Sequence, residues 1–279
     1  MTEHPILITG GTGKAGGRAV TQLRTKGLPV RVGSRSGNPR FDWTDRNTWD
    51  AALEGVRKVF LVPRDGELLT RPFVQRAKEL GVERVVLLSG RGADVPGYAS
   101  KDGIVGRTHI DGEDAVRGSG LAWTVVRPAW FAQNFSEGPF RDAVLAGELR
   151  LPAGDGAASF VDAEDIAAVA ALVEDKHVGE TYELSGPSAV TIGEAAAIIA
   201  GATGRPVRYT AVTPEDFVAE LVAEGWPEAD AEDYADAVGP IRRDMDSHLS
   251  DGLERALGRP ARPFTQFVSD AAAAGAWRD

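Results

Sequence analysis

Short apolar runs that lack a clean polar alternation recur through the first half of the chain. They are rich in leucine and β-branched residues and span residues 5–9, 30–33, 59–62, 84–89 and 123–127. This pattern is typical of strands that are buried on both faces of a sheet. Segments with helical periodicity lie between them, at about residues 15–26, 47–53, 68–80 and 104–118. The alternation predicts an α/β fold with a doubly wound parallel sheet and right-handed crossovers.

The rhythm changes after about residue 150, where the sequence becomes helix-rich and acidic. The patterns Thr191-Ile-Gly-Glu194 and Thr213-Pro-Glu-Asp216 are capping boxes that predict the starts of two helices. Between residues 215 and 251, twelve side chains are acidic and only Arg242 and Arg243 are basic, a density typical of a solvated face. We predict a first domain over residues 1–150 and a smaller helix-rich region over residues 151–279, intertwined with the first.

Composition excludes several classes of chemistry. The chain of 279 residues has no cysteine and four histidines without metal-binding spacing, so we expect no disulfide, no thiolate nucleophile and no metal site. The formal net charge of −10 argues against binding to nucleic acid or to an anionic membrane. No apolar run approaches the length of a membrane span, and the start of the sequence lacks the features of a secretory signal. A cytoplasmic location is the resulting expectation.

Glycines follow the first apolar run, in the stretch "ILITGGTGKAGG" of residues 6–17. The spacing Gly10-x-x-Gly13-x-x-Gly16 falls between a predicted strand and a predicted helix, which is the context of a dinucleotide-binding loop. In that context the glycines allow a sharp turn, close approach of a pyrophosphate and tight packing of the helix on the strand. The alternative is a glycine-rich turn without a ligand. We predict a Rossmann-type domain whose loop binds the cofactor through Gly10, Gly11, Thr12, Gly13, Lys14, Ala15 and Gly16.

The end of the second predicted strand indicates which dinucleotide is bound. NAD requires a carboxylate here for the ribose 2′-OH, whereas NADP requires a cation for the 2′-phosphate. No acidic residue lies between His4 and Phe41, and this interval contains seven basic residues. We therefore predict NADP(H) as the cofactor, with Arg35 contacting the 2′-phosphate and Ser34 and Ser36 donating hydrogen bonds. The alternative is that these basic residues are ordinary solvated charges.

Several further segments carry a resemblance to a known family. They include "TGGTGKAG", "FDWTD", "VFLVP", "AKELGVERVVLLSG", "TVVRPAWFAQNF" and "TYELSGP", spread over nearly the whole chain. With these segments, the chain resembles the NmrA-like branch of the atypical short-chain dehydrogenase/reductases, and within it the ergot-alkaloid dehydrogenases, which reduce an iminium with NADPH. The resemblance implies that the cofactor lies along Asp42, Trp43, Leu61, Val62, Pro63, Ser89, Gly90, Arg91, Pro128, Trp130 and Phe131. Of these, the first five would contact the adenosine and pyrophosphate, and the others the nicotinamide and its ribose.

The chain departs from the wider family at the catalytic helix. Typical members carry a tyrosine four residues before a lysine, but alignment on Glu113 places His109 at the lysine position and Val105 at the tyrosine position. His109 would then be a hydrogen-bond partner of the ribose, a proton donor or a solvated residue. Tyr98 and Lys101 in "YASK" are three residues apart, and they form either a displaced acid/base pair or part of a loop near the pocket. The candidate catalytic residues are His109, Ser89 and Tyr98, although Ser89 could equally satisfy the backbone.

The missing tyrosine limits the chemistry. Reduction of a ketone needs a proton donor, reduction of an iminium cation needs none, and a quinone is intermediate. Aromatic residues after the fifth strand, Trp130, Phe131, Phe135 and Phe140, would stack on a flat apolar substrate, although Phe135 and Phe140 could equally be core residues. We therefore predict an NADPH-dependent reductase that acts on a quinone, an iminium or a conjugated carbonyl.

Other functions stay open at this stage. The resemblance to NmrA itself implies, as the alternative, a protein that senses NADP(H) without turnover and acts through a protein partner. Residues 217–238, with Trp226 at the tip, would be either a mobile cap over the substrate opening or a rigid pair of surface helices. An exposed apolar helix face in this class often pairs with itself, so a homodimer is a further expectation.

Overall fold

The fold was analysed in a computed structural model that describes residues 4–98, 104–171 and 175–278. The described residues contain ten strands: β1 (Ile6–Thr9), β2 (Val30–Gly33), β3 (Lys58–Leu61), β4 (Arg84–Leu88), β5 (Ala122–Pro128), β6 (Glu148–Leu151), β7 (Ala157–Ala158), β8 (Glu180–Leu184), β9 (Val190–Thr191) and β10 (Arg208–Ala211). They also contain twelve α-helices: α1 (Lys14–Thr25), α2 (Trp49–Leu53), α3 (Thr70–Glu79), α4 (Ile104–Arg117), α5 (Asn134–Glu137), α6 (Arg141–Ala146), α7 (Ala163–Ala170), α8 (Ile192–Thr203), α9 (Pro214–Ala223), α10 (Glu228–Arg242), α11 (Gly252–Leu257) and α12 (Phe264–Ala273). No helix of these described ranges is long and apolar enough to cross a membrane.

Six parallel strands form the main sheet in the order β2-β1-β3-β4-β5-β8. Helices cover both of its faces. Consecutive residues of a strand point to opposite faces, so each strand contributes to both cores. Ile6 and Ile8 pack in a core with α1, α7 and α11, whereas Leu7 packs in a second core with α2, α3 and α4. The predicted doubly wound α/β fold is confirmed. Its strand order reverses between β1 and β3, and ligands of such folds bind in the crevice at this point.

The second half of the chain does not form a separate layer. β8 pairs with β5 in the main sheet, and α7 packs against α1. A third core joins the segment after β5 to the later helices through Phe135, Phe140, Phe160, Ile199 and Phe264. Elements from both sides of residue 150 therefore pack together. The predicted domain boundary at residue 150 remains a proposal.

Local sequence signals account for the helix starts in this half. The Thr191 side chain accepts from the Glu194 amide, and the Glu194 side chain accepts from the Thr191 amide, which completes the predicted capping box. Thr213 caps α9 in one direction only, by accepting from the Asp216 amide. The segment of residues 217–238 consists of α9 and most of α10, joined by a short turn. Whether this pair moves as a cap remains a prediction.

Candidate cofactor and substrate site

The glycine loop lies at the carboxyl end of β1, where the strand order reverses. Gly10 has a φ of +60°, in the left-handed region that favours glycine. The Gly13 amide donates to the Gly10 carbonyl at 2.9 Å and closes the turn that leads into α1. A side-chain carbon added at Gly16 would lie 2.2 Å from the Gly10 carbonyl oxygen, so the helix can approach the strand only because residue 16 is glycine. The geometry agrees with the predicted turn at Gly10 and the predicted packing at Gly16, and the approach of a pyrophosphate to Gly13 remains a prediction.

The electrostatics of this loop favour an anion. The first turn of α1 contains no acidic residue, and its free amide groups carry the positive end of the helix dipole. Lys14 adds a charge there, with its Nζ atom 3.5 Å from Asn134 Oδ1, and burial lowers the pKa of Lys14. The Thr9 hydroxyl fixes the neighbouring strand end by donating to the Val62 carbonyl at 3.0 Å and accepting from the Val62 amide at 2.7 Å. A pyrophosphate would fit between these two strand ends.

An exposed guanidinium without an ion pair among the described residues follows the end of β2. Arg35 is exposed and has no ion pair within the described ranges of the chain. Its neighbours differ, because Arg31 donates to the backbone carbonyls of Ala52 and Glu54, and Arg40 pairs with Asp42. The hydroxyls of Ser34 and Ser36 flank Arg35 and lie 3.5 Å apart. This arrangement leaves Arg35 available for a phosphate group.

The adenine-side residues implied by the family resemblance are mostly enclosed. The Trp43 ring is 9% exposed and packs edge-on against Phe41, Trp49 and Phe73 with centroids 5.0–6.2 Å apart. Asp42 accepts from the Thr44 amide and hydroxyl, and these hydrogen bonds lower its pKa. Leu61 is fully buried, so a cofactor could reach only its backbone. The contacts of Asp42, Trp43, Leu61, Val62 and Pro63 with adenosine remain predictions.

A cavity of about 360 Å³ opens at the carboxyl ends of β4 and β5. One wall is formed by the segment after β5, and the opposite wall by the inner face of α10. The cavity is lined by residues that include Lys14, Gly90, Arg91, Tyr98, His109, Pro128, Trp130, Phe131, Asn134, Asp233, Asp236 and Pro240. It therefore brings together the glycine loop and the predicted nicotinamide residues. No local sequence signal singles out Asn134, Asp233, Asp236 or Pro240, although the predicted cap of residues 217–238 includes Asp233 and Asp236.

Only part of the aromatic group faces this cavity. Trp130 and Phe131 line it and are half-buried, while Phe135 and Phe140 are 0% and 1% exposed in the third core. Trp130 stacks on Phe140 with centroids 5.7 Å apart and planes inclined by 12°. The Val161 amide donates to the Trp130 carbonyl at 2.9 Å, which holds the backbone after β5 in place. Phe135 and Phe140 thus support the aromatic wall from behind.

The end of β4 is fixed by a buried ion cluster. The Ser89 hydroxyl donates to Glu113 Oε1 at 2.6 Å, and Arg127 donates to both Glu113 oxygens at 2.7 Å. Arg117 adds a further contact at 2.9 Å. Burial alone would raise the pKa of Glu113, but the hydrogen bonds from Arg127 and Ser89 lower it. Ser89 is 3% exposed and is bound within this buried cluster rather than in the cavity lining, which favours a positioning role for Ser89 over proton transfer.

Replacing Glu113 with glutamine is expected to lower the free energy of unfolding by about 2 kcal/mol, because charge-assisted hydrogen bonds to Arg127 are lost. The folded-state pKa lies below its ordinary value of 4.5, so this contribution is present above that pH and is lost as the pH falls. Urea denaturation at several pH values measures it. Glu79→Gln, at an exposed ion pair with Arg76, is the matched control and is expected to change little. Equal effects of the two substitutions would contradict the prediction.

His109 and Tyr98 approach the cavity from different elements. The His109 ring lies against Gly90, where an added side-chain carbon would be 2.9 Å from Nε2. His109 Nδ1 is buried without a hydrogen-bond partner among the described residues, and burial lowers the pKa of His109. The ring is therefore neutral near pH 7, which suits a hydrogen bond to a ribose better than proton donation. Tyr98 lies on the loop of residues 90–98, whereas Lys101 lies outside the described residues.

Arg91 is directed toward the second half of the chain. Its guanidinium donates to Ser159 Oγ at 2.8 Å and to the His248 carbonyl at 3.0 Å. The side chain is 5% exposed, and it joins the loop after β4 to the segment that follows α10. The guanidinium is thus occupied by partners in the second half of the chain. If Arg91 contacts a nicotinamide ribose, it does so through its backbone or through the part of its side chain that lines the cavity.

Comparison with known proteins identifies the family. Residues 10–176 match the model of a family described as NAD(P)H-binding. The chain belongs to this NAD(P)H-binding family. Among its relatives, an NAD(P)H azoreductase of Xenophilus azovorans is 36% identical over 96% of this chain and 98% of its own. An agroclavine dehydrogenase of Claviceps fusiformis is 32% identical over 95% and 96% of the two chains.

A solved structure agrees with these relatives. The NADPH-dependent quinone oxidoreductase of Escherichia coli, complexed with NADPH, matches this NAD(P)H-binding protein with a TM-score of 0.80 and 27% identity, over 95% of this chain and 99% of that one. The predicted resemblance to the ergot-alkaloid dehydrogenases is confirmed. A structure of NmrA, a negative transcriptional regulator, shares the fold with a TM-score of 0.73 at 14% identity. The prediction of an oxidoreductase is likewise confirmed.

Proposed function

We propose that the protein is an NADPH-dependent reductase that transfers hydride to a flat, apolar electrophile such as a quinone, an iminium or a conjugated carbonyl. The observation that carries this proposal is the cavity beside the glycine loop, with Trp130 and Phe131 in its wall. An apolar pocket with a few polar groups next to a nicotinamide site is the usual form of a substrate site. The cavity therefore favours catalysis over pure sensing, because a protein that only senses NADP(H) needs no apolar space for a substrate beside the nicotinamide.

NADP(H) fits the residues that are present. The pyrophosphate would lie on the amide groups of Gly13 to Gly16, and Arg35 would contact the 2′-phosphate. The His109 ring lies against Gly90 at the end of β4, and its Nδ1 atom has no hydrogen-bond partner among the described residues, so it could bond a hydroxyl of the nicotinamide ribose. The relative with a bound cofactor is described as an NADPH complex, which supports the same choice.

The cofactor supplies the hydride, and the chain's own residues orient the acceptor. Trp130, held by Val161 and stacked on Phe140, gives a rigid aromatic face for a planar molecule. Ala237 and Pro240 of α10 line the opposite side with apolar surface. Positioning of this kind can supply much of the rate of a hydride transfer. The relatives named for azo, quinone and ergot-alkaloid chemistry support a planar conjugated acceptor.

Replacing Trp130 with alanine is expected to lower kcat/KM for a planar quinone about 30-fold, because stacking and burial of an indole contribute about 2 kcal/mol. NADPH oxidation at 340 nm with a panel of quinones, cyclic iminiums and azo dyes measures this effect. Trp123→Ala is the matched control, since Trp123 is half-buried at the opposite end of β5, beside Arg117. Binding of NADPH without reduction of any acceptor would reject the reductase and favour the sensing alternative.

A further inference from the structure

The segment after α10 places a buried acid behind the cavity. Asp246 is 0% exposed, and the Tyr98 hydroxyl donates to its Oδ1 atom. Asp246 Oδ2 has no hydrogen-bond partner within the described part of the chain. The Asp246 carbonyl accepts from the Ser159 amide at 3.0 Å, so the backbone is fixed on this side. A buried carboxyl with a free oxygen is costly as an anion and is retained more easily as a neutral acid.

Tyr98 connects this acid to the cavity. It lines the cavity together with His109 and Trp130. Its ring packs on Gly92, where an added side-chain carbon would lie 2.3 Å from the ring. Arg243 donates to the carbonyls of Gly97 and Tyr98 at 3.0 and 2.8 Å and holds the backbone of the loop. Tyr98 is therefore held with its ring on the cavity wall and its hydroxyl on Asp246.

Arg91 supplies the compensating charge. It is 5% exposed, and its Nη1 atom donates to the Asp246 carbonyl at 3.4 Å. Burial raises the pKa of Asp246, although the side chains of Tyr98, Arg91, Trp130 and His248 oppose this effect. Burial also lowers the pKa of Arg91. The other charged groups that face the pair are Arg243, Glu183 and His248, of which the last two contact each other at 3.2 Å.

We propose that Tyr98 and Asp246 form the proton-transfer pair of this site. Tyr98, whose ring lines the cavity, is the catalytic acid, and Asp246 is a positioning residue that acts through Tyr98 and returns the proton to it. This inference rests on the proposed reductase function. In the wider family, a tyrosine and a lysine on one helix serve in proton donation. Here this role would fall to Tyr98 and Asp246, which are distant in sequence.

The transfer balances in the following way. NADPH, when bound, would supply the hydride and be oxidised to NADP⁺, and a neutral acceptor would thereby become an anion. The O–H bond of Tyr98 breaks, and its proton forms the new X–H bond of the reduced product. The carboxyl proton of Asp246 then moves to the phenolate, and the Arg91 guanidinium stabilises the resulting carboxylate. Asp246 regains a proton from solvent when the product leaves.

The test compares a neutral acceptor with a cationic one. A neutral azo dye or quinone forms an anion on hydride transfer, whereas a cationic triarylmethyl dye becomes neutral and needs no proton. Tyr98→Phe and Asp246→Asn are expected to lower kcat with the neutral acceptor about 100-fold, the usual contribution of a general acid. With the cationic dye, kcat should stay within about threefold of wild type, and so should the Kd for NADPH. Tyr209→Phe, which removes a hydroxyl bonded to the Gly154 carbonyl far from the cavity, is the matched control.

The pH profile separates proton transfer from a structural role. In the wild type, kcat with the neutral acceptor should fall as the pH rises through the pKa of the pair, and Asp246→Asn should remove this fall. Equal losses with both acceptors, or no loss with either, would overturn the pair while leaving the reductase in place. Failure of the wild type to oxidise NADPH with any acceptor would instead overturn the reductase and the pair together. If Asp246→Asn folds poorly, Tyr98→Phe alone decides between these outcomes.

Discussion

Replacing Gly16 with alanine is expected to weaken NADPH binding more than about 100-fold, the equivalent of two charge-assisted hydrogen bonds. The added carbon would lie 2.2 Å from the Gly10 carbonyl oxygen, closer than atoms can approach. Its three nearest neighbours are all backbone atoms of Gly10 and Gly11, which cannot move aside as a flexible side chain could. The helix and the loop must therefore separate, and the amide groups of the loop lose their alignment on the pyrophosphate. Overpacking of this kind also lowers the free energy of unfolding by about 1–3 kcal/mol.

Gly17→Ala is the matched control for this prediction. Gly17 lies next along α1, but an added carbon there has no neighbour closer than 3.7 Å. Alanine is the better helix former, so this variant should bind NADPH normally and gain up to about 1 kcal/mol of stability. Calorimetric titration gives the Kd, and urea denaturation gives the stability. Normal NADPH binding by Gly16→Ala would show that the loop does not hold the pyrophosphate as proposed.

Replacing Arg35 with alanine is expected to weaken NADPH binding about 30-fold and to leave NADH binding unchanged. The two cofactors differ by the 2′-phosphate, and a guanidinium hydrogen-bonded to a phosphate contributes about 2 kcal/mol. Arg35 is exposed and has no ion pair among the described residues, so its removal breaks no ion pair. The loss should shrink as salt concentration rises, because the guanidinium is exposed and therefore screened.

Arg24→Ala is the corresponding control, since Arg24 is an exposed basic residue in the last turn of α1. Arg24 carries the same charge as Arg35 but lies at the opposite end of α1 from the glycine loop. Titration with NADPH, NADP⁺, NADH and NAD⁺ separates the two positions. A loss that is equal for NADPH and NADH would place Arg35 away from the 2′-phosphate.

Most of the fold and half of the site could be predicted from short stretches of sequence. The apolar runs marked five of the six strands of the main sheet, because burial on both faces leaves a continuous apolar signal. The glycine spacing predicted the turn and the tight helix contact between β1 and α1, because each requires glycine at one position. That this loop binds the cofactor remains a prediction. The sequence pattern did not predict strand β8, because this short segment lies within the helix-rich half of the chain.

Only the tertiary structure decided which side chains meet. Phe135 and Phe140 follow Trp130 closely in sequence, yet the later helices bury them and leave Trp130 at the cavity. Ser89 is bound to Glu113, and Tyr98 is bound to Asp246, which is 148 residues away in the chain. Local sequence determined the strands, the crossover helices and the glycine loop, because each depends on residues a few positions apart. The partners of Ser89 and Tyr98, and the wall that α10 adds, depend on how the second half packs against the first, which no local pattern encodes.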